Sequence, residues 1–365
     1  MGAFRLFLAV SIVIAHAGAF LGARLADARL AVQMFYLISG FAMAFVWHGK
    51  YATSRQPIRT FFVGRALRIY PQYFIVLILS VLVSLYGWQA EHRHPIATAI
   101  QAPIHGWGGV WLYVQQVTLI GMDTHLFMQR AADGTLQFCA DFHHGTLPPL
   151  HYYMFVSPAW MLSLQLVFYL LVPMLLPRPK LWVAALILSF LARGVGWWFG
   201  LRSDPWTHRF LPFEVGVFLL GVISYHAYAW IKERRPEWLA RPWLGWTALG
   251  ALTVEMLCLP LLQKGMGEGA FWLCYLTAMA VFPFAFHASM RSMADRWVGE
   301  LAYPMYISHL LMMSIGEFFL GIPLSRLVYF AIPATLVVSV LLDRAQRRID
   351  AFRHSLVKAK TLASS

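Results

Sequence analysis

Long apolar runs recur along this chain from end to end and limit what it can fold into. Ten stretches of about 18–21 residues are each long enough to cross the ~30 Å hydrocarbon core of a bilayer as a helix. They lack the alternation of a membrane β-barrel, and an open sheet cannot satisfy its backbone in lipid. Apolar residues make up 59% of the chain and charged residues only 12%. The sequence therefore predicts an all-α integral membrane protein with about ten transmembrane helices.

The predicted spans divide the chain into a membrane domain, residues 1–342, and a basic, solvated tail, residues 343–365. One long polar and aromatic segment, residues 89–156, separates the third and fourth spans. Its weakly apolar stretches near 96–104 and 109–120 could re-enter the membrane or lie on its surface. Tyr70-Pro71 suits the start of the third span, because proline in a first turn forfeits no hydrogen bond. The predicted spans lie near residues 4–22, 30–48, 69–88, 157–176, 181–199, 209–229, 243–262, 269–287, 302–320 and 323–342.

The net charge of +13 does not indicate a nucleic-acid partner. Most of the 29 Lys and Arg residues fall in short segments that lie on one side if the N-terminus is inside. The positive-inside rule therefore predicts that both termini are cytosolic and that residues 89–156 are outside. The three cysteines lack metal-ligand spacing and support neither a disulfide framework nor a zinc site.

The first helix carries Arg5 near its start and His16 eleven residues later, with only small or apolar residues between them apart from Ser11. The two residues lie ~16 Å apart along a helix axis and share one face. His16 would then lie near the bilayer centre, where an ionisable residue is a functional candidate. A neutral imidazole there could accept a proton from a hydroxyl as a general base.

Arg65 and Arg68 precede the third span and share a helix face if this segment is helical. The predicted topology places them at the depth of Arg5, where three guanidinium groups would suit the phosphates of a ligand. Ordinary positive-inside charge explains the same residues without a ligand.

Four further charged residues interrupt apolar spans, and the predicted topology places all four in the outer half of the membrane. Such residues usually face an interior cavity and pair with one another. We expect an outward-facing polar cavity in which a sugar hydroxyl approaches His16. Structural pairing of the arginine with one carboxylate is an equally good interpretation. The four residues are Arg193, Glu214, Glu255 and Glu317.

Two other motifs have plainer interpretations. His143, His144 and His151 do not form a regular ligand pattern, so we expect a loop and no metal site. Ser39-Gly40 is expected to pack two helices closely, and Ser39 is a weaker candidate nucleophile because no base adjoins it in sequence.

Several segments resemble the acyltransferase-3 family, specifically over the first 75 residues and more loosely up to residue 342. Two departures stand out: many members carry glutamate where this chain has Gln165, and the usual Asp-Gly-Leu-Arg-Gly opening is reduced here to Ala3-Phe-Arg-Leu-Phe7. The resemblance rests on Arg5-x10-His16, Phe35-Tyr-Leu-Ile-Ser39-Gly40-Phe41, Arg65-x-x-Arg68-Ile-Tyr-Pro71, Ser157-Pro-Ala-Trp160-Met-Leu-Ser163-Leu-Gln165 with Phe168-Tyr169, and Leu301-Ala-Tyr303-Pro-Met-Tyr306-Ile-Ser-His309.

The resemblance implies a multi-pass protein of the cytoplasmic membrane. Such a protein transfers an acyl group, most simply acetyl, from cytosolic acyl-CoA to a hydroxyl of an extracytoplasmic polysaccharide or glycolipid. It implies catalysis at His16 and Arg5 and donor binding at Arg5, Arg65 and Arg68, with no permanently bound cofactor. The candidate substrate-binding residues are Ser39, Trp160, Gln165, Arg193, Glu214, Glu255, Tyr303 and His309.

A secondary transporter that uses His16 and the buried carboxylates as a proton relay is the alternative function. Transporters often contain paired repeats with broken helices at matching positions, and the sequence shows no such pairing. A transporter also gives no reason for the spacing of Arg5 and His16. The sequence specifies no oligomeric state.

Overall fold

The computed structural model describes residues 1–89, 95–143 and 149–362, and these residues are mostly helical. Two π-helical turns, Trp47–Tyr51 and Ile315–Phe319, and two 3₁₀ turns, Met122–Phe127 and Leu150–Tyr153, extend or connect the helices. The helices are α1 Gly2–Ala17, α2 Ala28–Val46, α3 Pro57–Gln89, α4 Pro95–Gln101, α5 Trp107–Thr118, α6 Ala159–Leu175, α7 Pro179–Trp198, α8 Leu211–Arg234, α9 Pro236–Leu239, α10 Pro242–Leu257, α11 Leu259–Met266, α12 Gly269–Ser289, α13 Met293–Glu300, α14 Ala302–Ser314 and α15 Leu324–Leu362.

Six helices are long and apolar enough to cross a membrane, so the protein is a multi-pass membrane protein. They lie in α2, α3, α7, α8, α12 and α15, and the pair α10–α11, bent by 64°, would make a seventh. The remaining expected spans fall on α1, α6 and α14, which are shorter. Each of the ten apolar runs is thus helical, while their number as full spans stays a prediction.

Helix α3 begins twelve residues earlier than the sequence predicts, at Pro57, so Pro71 lies inside it rather than in its first turn. A proline in a helix interior leaves the carbonyl four residues earlier without its usual donor. The Gln346 side-chain amide replaces that donor, at 2.9 Å from the Leu67 carbonyl oxygen. The basic segment before residue 69 is therefore helical and not a loop.

Helix α15 runs without interruption across the expected start of the tail at residue 343. Asp343 and Gln346 are buried, and Asp350 lies 3.5 Å from Arg68. The first turns beyond residue 342 therefore pack against α3, which corrects the expectation that they are solvated.

The segment between α3 and α6 contains a short antiparallel hairpin, β1 Met128–Arg130 paired with β2 Leu136–Phe138, besides helices α4 and α5. The hairpin departs from the all-α expectation, because three-residue strands are too short to leave an alternating pattern. Trp107 and Trp111 on α5 are exposed, which suits a helix at a membrane surface.

Helix α1 packs against α2, α13, α14 and α15. Leu8, Ile12 and Val13 are buried in these contacts. The Asp295 carboxylate on α13 accepts hydrogen bonds from the Gly2 and Ala3 amides at 2.7 and 2.9 Å. It thus satisfies amides of the first turn, which have no partner within the helix.

Candidate active site

A cavity of about 320 Å³ lies at the Arg5 end of α1. Arg5 reaches it from α1, and Arg65 and Arg68 reach it from the first part of α3. The structure thus brings together the three arginines that sequence spacing placed at one depth. We call this space the arginine cavity.

The two arginines of α3 have different partners. Arg68 forms ion pairs with Glu300 and with Asp350. Arg65 lies 4.0 Å from the Met43 sulfur, and its Nε is buried with no hydrogen-bond partner in the described part of the chain. Glu300 lines the arginine cavity, and sequence analysis missed it because an isolated glutamate at a helix end carries no pattern.

Three of the candidate substrate-binding residues line the same cavity. The Gln165 amide donates to the Ser39 hydroxyl at 2.7 Å and also to the Tyr169 hydroxyl. The Tyr303 hydroxyl donates to the Ile69 carbonyl at 2.8 Å. Ser39, Gln165 and Tyr303 therefore belong with the arginines and not with His16.

His16, at the other end of α1, is exposed, and its ring centroid lies 5.2 Å from that of buried His309. His309 Nδ1 lies 2.6 Å from the Tyr306 carbonyl oxygen. A carbonyl can only accept, so Nδ1 carries the proton and Nε2 keeps its lone pair. That Nε2 is buried and has no hydrogen-bond partner among the described residues.

The arginine cavity does not extend to His16. Among the described residues its lining reaches Phe35 and Tyr306. These two rings lie 6.4 Å apart, and the Tyr306 ring lies 5.9 Å from that of His309. The Tyr306 ring thus lines the arginine cavity and also adjoins His309, whose ring is the neighbour of His16.

The sequence predicts that the four intramembrane charges share one polar cavity with His16. The structure places them in different surroundings. Arg193 and Glu214 form a buried ion pair at 2.5 Å, which confirms the structural-pairing interpretation. Glu255 accepts a hydrogen bond from Thr277 at 3.3 Å between α10 and α12. Glu317 lines a different cavity beside α14. Helical position fixes depth, but the direction in which each helix faces depends on packing.

The connection between α7 and α8 places Arg209 beside Trp160, with the guanidinium carbon 4.2 Å from the ring centroid. Arg209 forms two hydrogen bonds with Asp204, at 2.6 and 3.0 Å, and lies within electrostatic range of His16. Burial alone would raise the pKa of Asp204, but Arg209 and His208 outweigh it and keep that pKa below its usual value. Sequence analysis missed Arg209 because a loop arginine has no helical register.

Two of the three histidines of this motif, His143 and His151, lie in the described part of the segment between α3 and α6. His143 Nε2 lies 3.2 Å from Asp204, and His144 lies outside the described residues. Within the described ranges, no three His, Cys, Asp or Glu side chains are arranged to hold a metal ion.

A family model described as an acyltransferase domain matches residues 1–344. The chain belongs to the acyltransferase-3 family. This membership makes the protein a membrane acyltransferase, with an acyl donor and an acceptor, and it does not favour the transporter alternative. No curated protein and no solved structure matches the chain. The matched residues include those that line the arginine cavity and also His16 and His309.

Proposed function

We propose that this protein is an O-acyltransferase of the cytoplasmic membrane. It moves an acyl group, acetyl in the simplest case, from cytosolic acyl-CoA to a hydroxyl of an extracytoplasmic polysaccharide or glycolipid. The observation that carries the proposal is the cavity with three arginines at one end of α1, with an exposed histidine at the other end. Residues 1–342 form the catalytic domain, and both termini are cytosolic.

The arginine cavity would bind the phosphates of acyl-CoA. Arginine holds phosphate through two parallel charge-assisted hydrogen bonds, and Arg65 has no carboxylate partner among the described residues. The adjacent Gln165, Ser39 and Tyr303 would then contact the donor. Coenzyme A is long and thin, so its pantetheine arm can extend along α1 while its phosphates stay at the Arg5 end.

His16 would act as the general base. It takes the proton of the acceptor hydroxyl while the oxygen attacks the thioester carbonyl, and the C–S bond breaks as the CoA thiolate leaves and is protonated. An alternative route passes the acyl group through a covalent enzyme intermediate before the hydroxyl attacks. Rapid quenching with radiolabelled donor distinguishes the two routes, since only the second leaves label on the protein.

Movement of two aromatic rings would open the way between the donor phosphates and His16. Phe35 and Tyr306 end the arginine cavity, so rotation of these side chains would admit the thioester. Arg209, beside Trp160, would then lie near the reacting atoms.

Two substitutions on α1 test the division of labour. We expect Arg5→Ala to raise the Kd for acetyl-CoA about 10- to 100-fold, because the variant loses one or two charged hydrogen bonds to the donor. We expect His16→Ala to lower transfer about 10²- to 10⁴-fold, the usual contribution of a general base, while donor affinity changes less than twofold. Calorimetry and release of free CoA by the purified protein measure the two effects.

Arg55→Ala and His105→Ala are the matched controls, because both side chains are exposed and neither lines the arginine cavity. Equal loss of donor binding in the two α1 variants would contradict the proposal. Mass spectrometry of surface glycans from cells with and without the protein should show one fixed mass difference that His16→Ala removes.

A further inference from the structure

A second cavity, of about 340 Å³, lies among α2, α7, α8 and α12. This volume lies within the usual range for small-molecule sites. Its walls combine aromatic side chains with two arginines and a glutamate. We call it the tryptophan cavity, and its lining includes Trp197, Trp272, Arg29, Arg193 and Glu268.

The tryptophan cavity lies at the His16 end of the molecule. Helices α1 and α2 pack against each other and are joined by residues 18–27, so the start of α2 adjoins the end of α1. Arg29 at the start of α2 lines the tryptophan cavity, whereas Met43, fourteen residues later, lines the arginine cavity. These positions lie ~21 Å apart along the helix. The two cavities therefore open towards opposite ends of α2.

The charges of the tryptophan cavity are balanced. Arg29 forms two hydrogen bonds with Glu268, at 3.0 and 2.6 Å. Arg193 pairs with Glu214 behind the wall. Each cation is thus matched by one carboxylate, and a ligand with its own net charge would disturb one of these pairs. The charge balance favours a neutral ligand.

The cavity also has hydrogen-bonding groups that a neutral ligand could use. The Arg29 and Arg193 side chains line the cavity and are 17% and 13% exposed. The Glu268 side chain is 36% exposed, so its carboxylate can accept further hydrogen bonds. The site therefore offers donors for ligand oxygens and an acceptor for ligand hydroxyl groups.

The aromatic walls add flat apolar surfaces. Trp197 is 46% exposed, with the Arg202 guanidinium carbon over one face of its ring at 4.6 Å from the centroid, which leaves the other face for a ligand. The Arg193 guanidinium carbon lies 5.9 Å from the Trp272 ring centroid. The face of an aromatic ring carries partial negative charge. It therefore attracts the C–H groups of a pyranose ring, which adjacent oxygens polarise positively. A neutral sugar has both such a C–H face and a rim of hydroxyl groups.

We infer that the tryptophan cavity binds an uncharged sugar ring of the acceptor glycan, one that does not itself receive the acyl group. The inference rests on the proposed function and names the acceptor class at the His16 end. Thr207 lines the cavity and Arg209 follows two residues later beside Trp160. A sugar ring held at the tryptophan cavity therefore lies two residues along the chain from Arg209, which is within electrostatic range of His16.

Sugar binding without any donor tests the inference. The probes are the neutral trisaccharides of glucose, mannose and N-acetylglucosamine and the acidic trisaccharide of galacturonic acid. Saturation-transfer NMR measures each with the full-length protein in lipid nanodiscs. We expect at least one neutral probe to bind, and Trp197→Ala to weaken it at least fivefold. Trp198→Ala is the matched control, because that side chain is 83% exposed and does not line the cavity.

A second variant tests the charge argument. Glu268→Gln keeps the shape of the side chain but leaves Arg29 without its counter-charge. We expect this variant to bind the acidic trisaccharide more tightly than the unaltered protein does, and the neutral probe more weakly. An unchanged preference would contradict the argument from charge balance.

Three results would overturn the inference: no neutral probe binds, binding is equal in Trp197→Ala and Trp198→Ala, or a lipid that sugars do not displace occupies the site. If acyl transfer to glycans still depends on His16, only this inference falls. If no glycan is acylated at all, the proposed function itself fails, whatever the NMR shows.

Discussion

Arg65 and Arg68 show how two residues of one motif differ once their neighbours are known. Both lie on the same face of α3 and line the arginine cavity. Glu300 and Asp350 already neutralise Arg68, whereas Arg65 has no carboxylate partner among the described residues. Arg65 is therefore the better phosphate ligand of the two.

We expect Arg65→Ala to raise the Kd for acetyl-CoA about 10- to 100-fold, and Arg68→Ala to raise it less, because Arg68 must first leave its carboxylates. Acetyl-pantetheine, which lacks the nucleotide phosphates, is the control ligand, and its binding should not depend on Arg65. Calorimetry with both ligands measures the difference. A larger effect of Arg68→Ala would show that the ion pairs with Glu300 and Asp350 open on binding.

Gln165 has its contacts among hydroxyl groups. Its departure from the glutamate of many family members leaves its role open in sequence. The structure shows its amide donating to Ser39 and Tyr169, a role that an ionised carboxylate could not fill because it only accepts. Both hydroxyl groups could instead donate to a carboxylate, so these contacts suit glutamine and glutamate alike.

Helices α3 and α12 each contain an interior proline, and in each case another helix supplies the missing hydrogen-bond donor. Gln346 serves the Leu67 carbonyl, four residues before Pro71. Ser224 on α8 likewise donates to the Met279 carbonyl at 2.8 Å, four residues before Pro283. Each proline thus leaves a carbonyl that accepts a hydrogen bond from a neighbouring helix.

We expect Gln346→Leu to lower the free energy of unfolding by about 1–3 kcal/mol, the cost of a buried carbonyl without a donor. Pro71→Ala restores a backbone amide to that carbonyl and should make Gln346→Leu much less harmful. Thermal unfolding of the two single variants and the double variant measures this coupling. Equal effects of Gln346→Leu in both backgrounds would contradict the explanation.

The connections between α3 and α6 and between α7 and α8 should lose stability in acid. Burial and the nearby Arg209 lower the pKa of His151 to about 4, so the unfolded chain, with a histidine pKa near 6.5, takes up the proton first. Stability is therefore lost as pH falls from about 6.5 to about 4. Asp204, with its lowered pKa, adds a further loss below that range.

Limited proteolysis between pH 7 and pH 4 measures this loss as faster cleavage within residues 95–143 and 149–157. His151→Gln removes one titrating group and should reduce the dependence above pH 4. The remainder comes from His125, because burial also lowers its pKa to about 4. If His151→Gln keeps the full pH dependence of cleavage, other titrating groups cause it.

Over the whole molecule, the close contact of α2 with α8 holds the two sides of the bundle together. A Cβ atom on Gly40 would lie 1.8 Å from the Phe218 carbonyl oxygen, and one on Gly221 would lie 1.9 Å from that of Leu37. The expectation that Gly40 packs two helices is therefore confirmed. Neither glycine can be enlarged unless the helices separate.

We expect Gly40→Ala to lower the free energy of unfolding by at least about 1–3 kcal/mol, as overpacking of a core does. Gly250→Ala in α10 is the matched control, because nothing lies within 4 Å of its Cβ position. That change should stabilise the helix by up to about 1 kcal/mol. Thermal unfolding measures both variants, and similar losses would argue against a close contact.

The sequence by itself determined the helical membrane class, the positions of the apolar helices, the family, and the spacing of Arg5 and His16 along α1. These follow from periodicity and apolar length, which act within a few turns of the chain. Only the tertiary structure decided that Glu300 and Asp350 pair with Arg68, that Phe35 and Tyr306 end the arginine cavity, and that the intramembrane carboxylates lie apart. Those features depend on which faces of distant helices meet, and packing between residues far apart in sequence sets that.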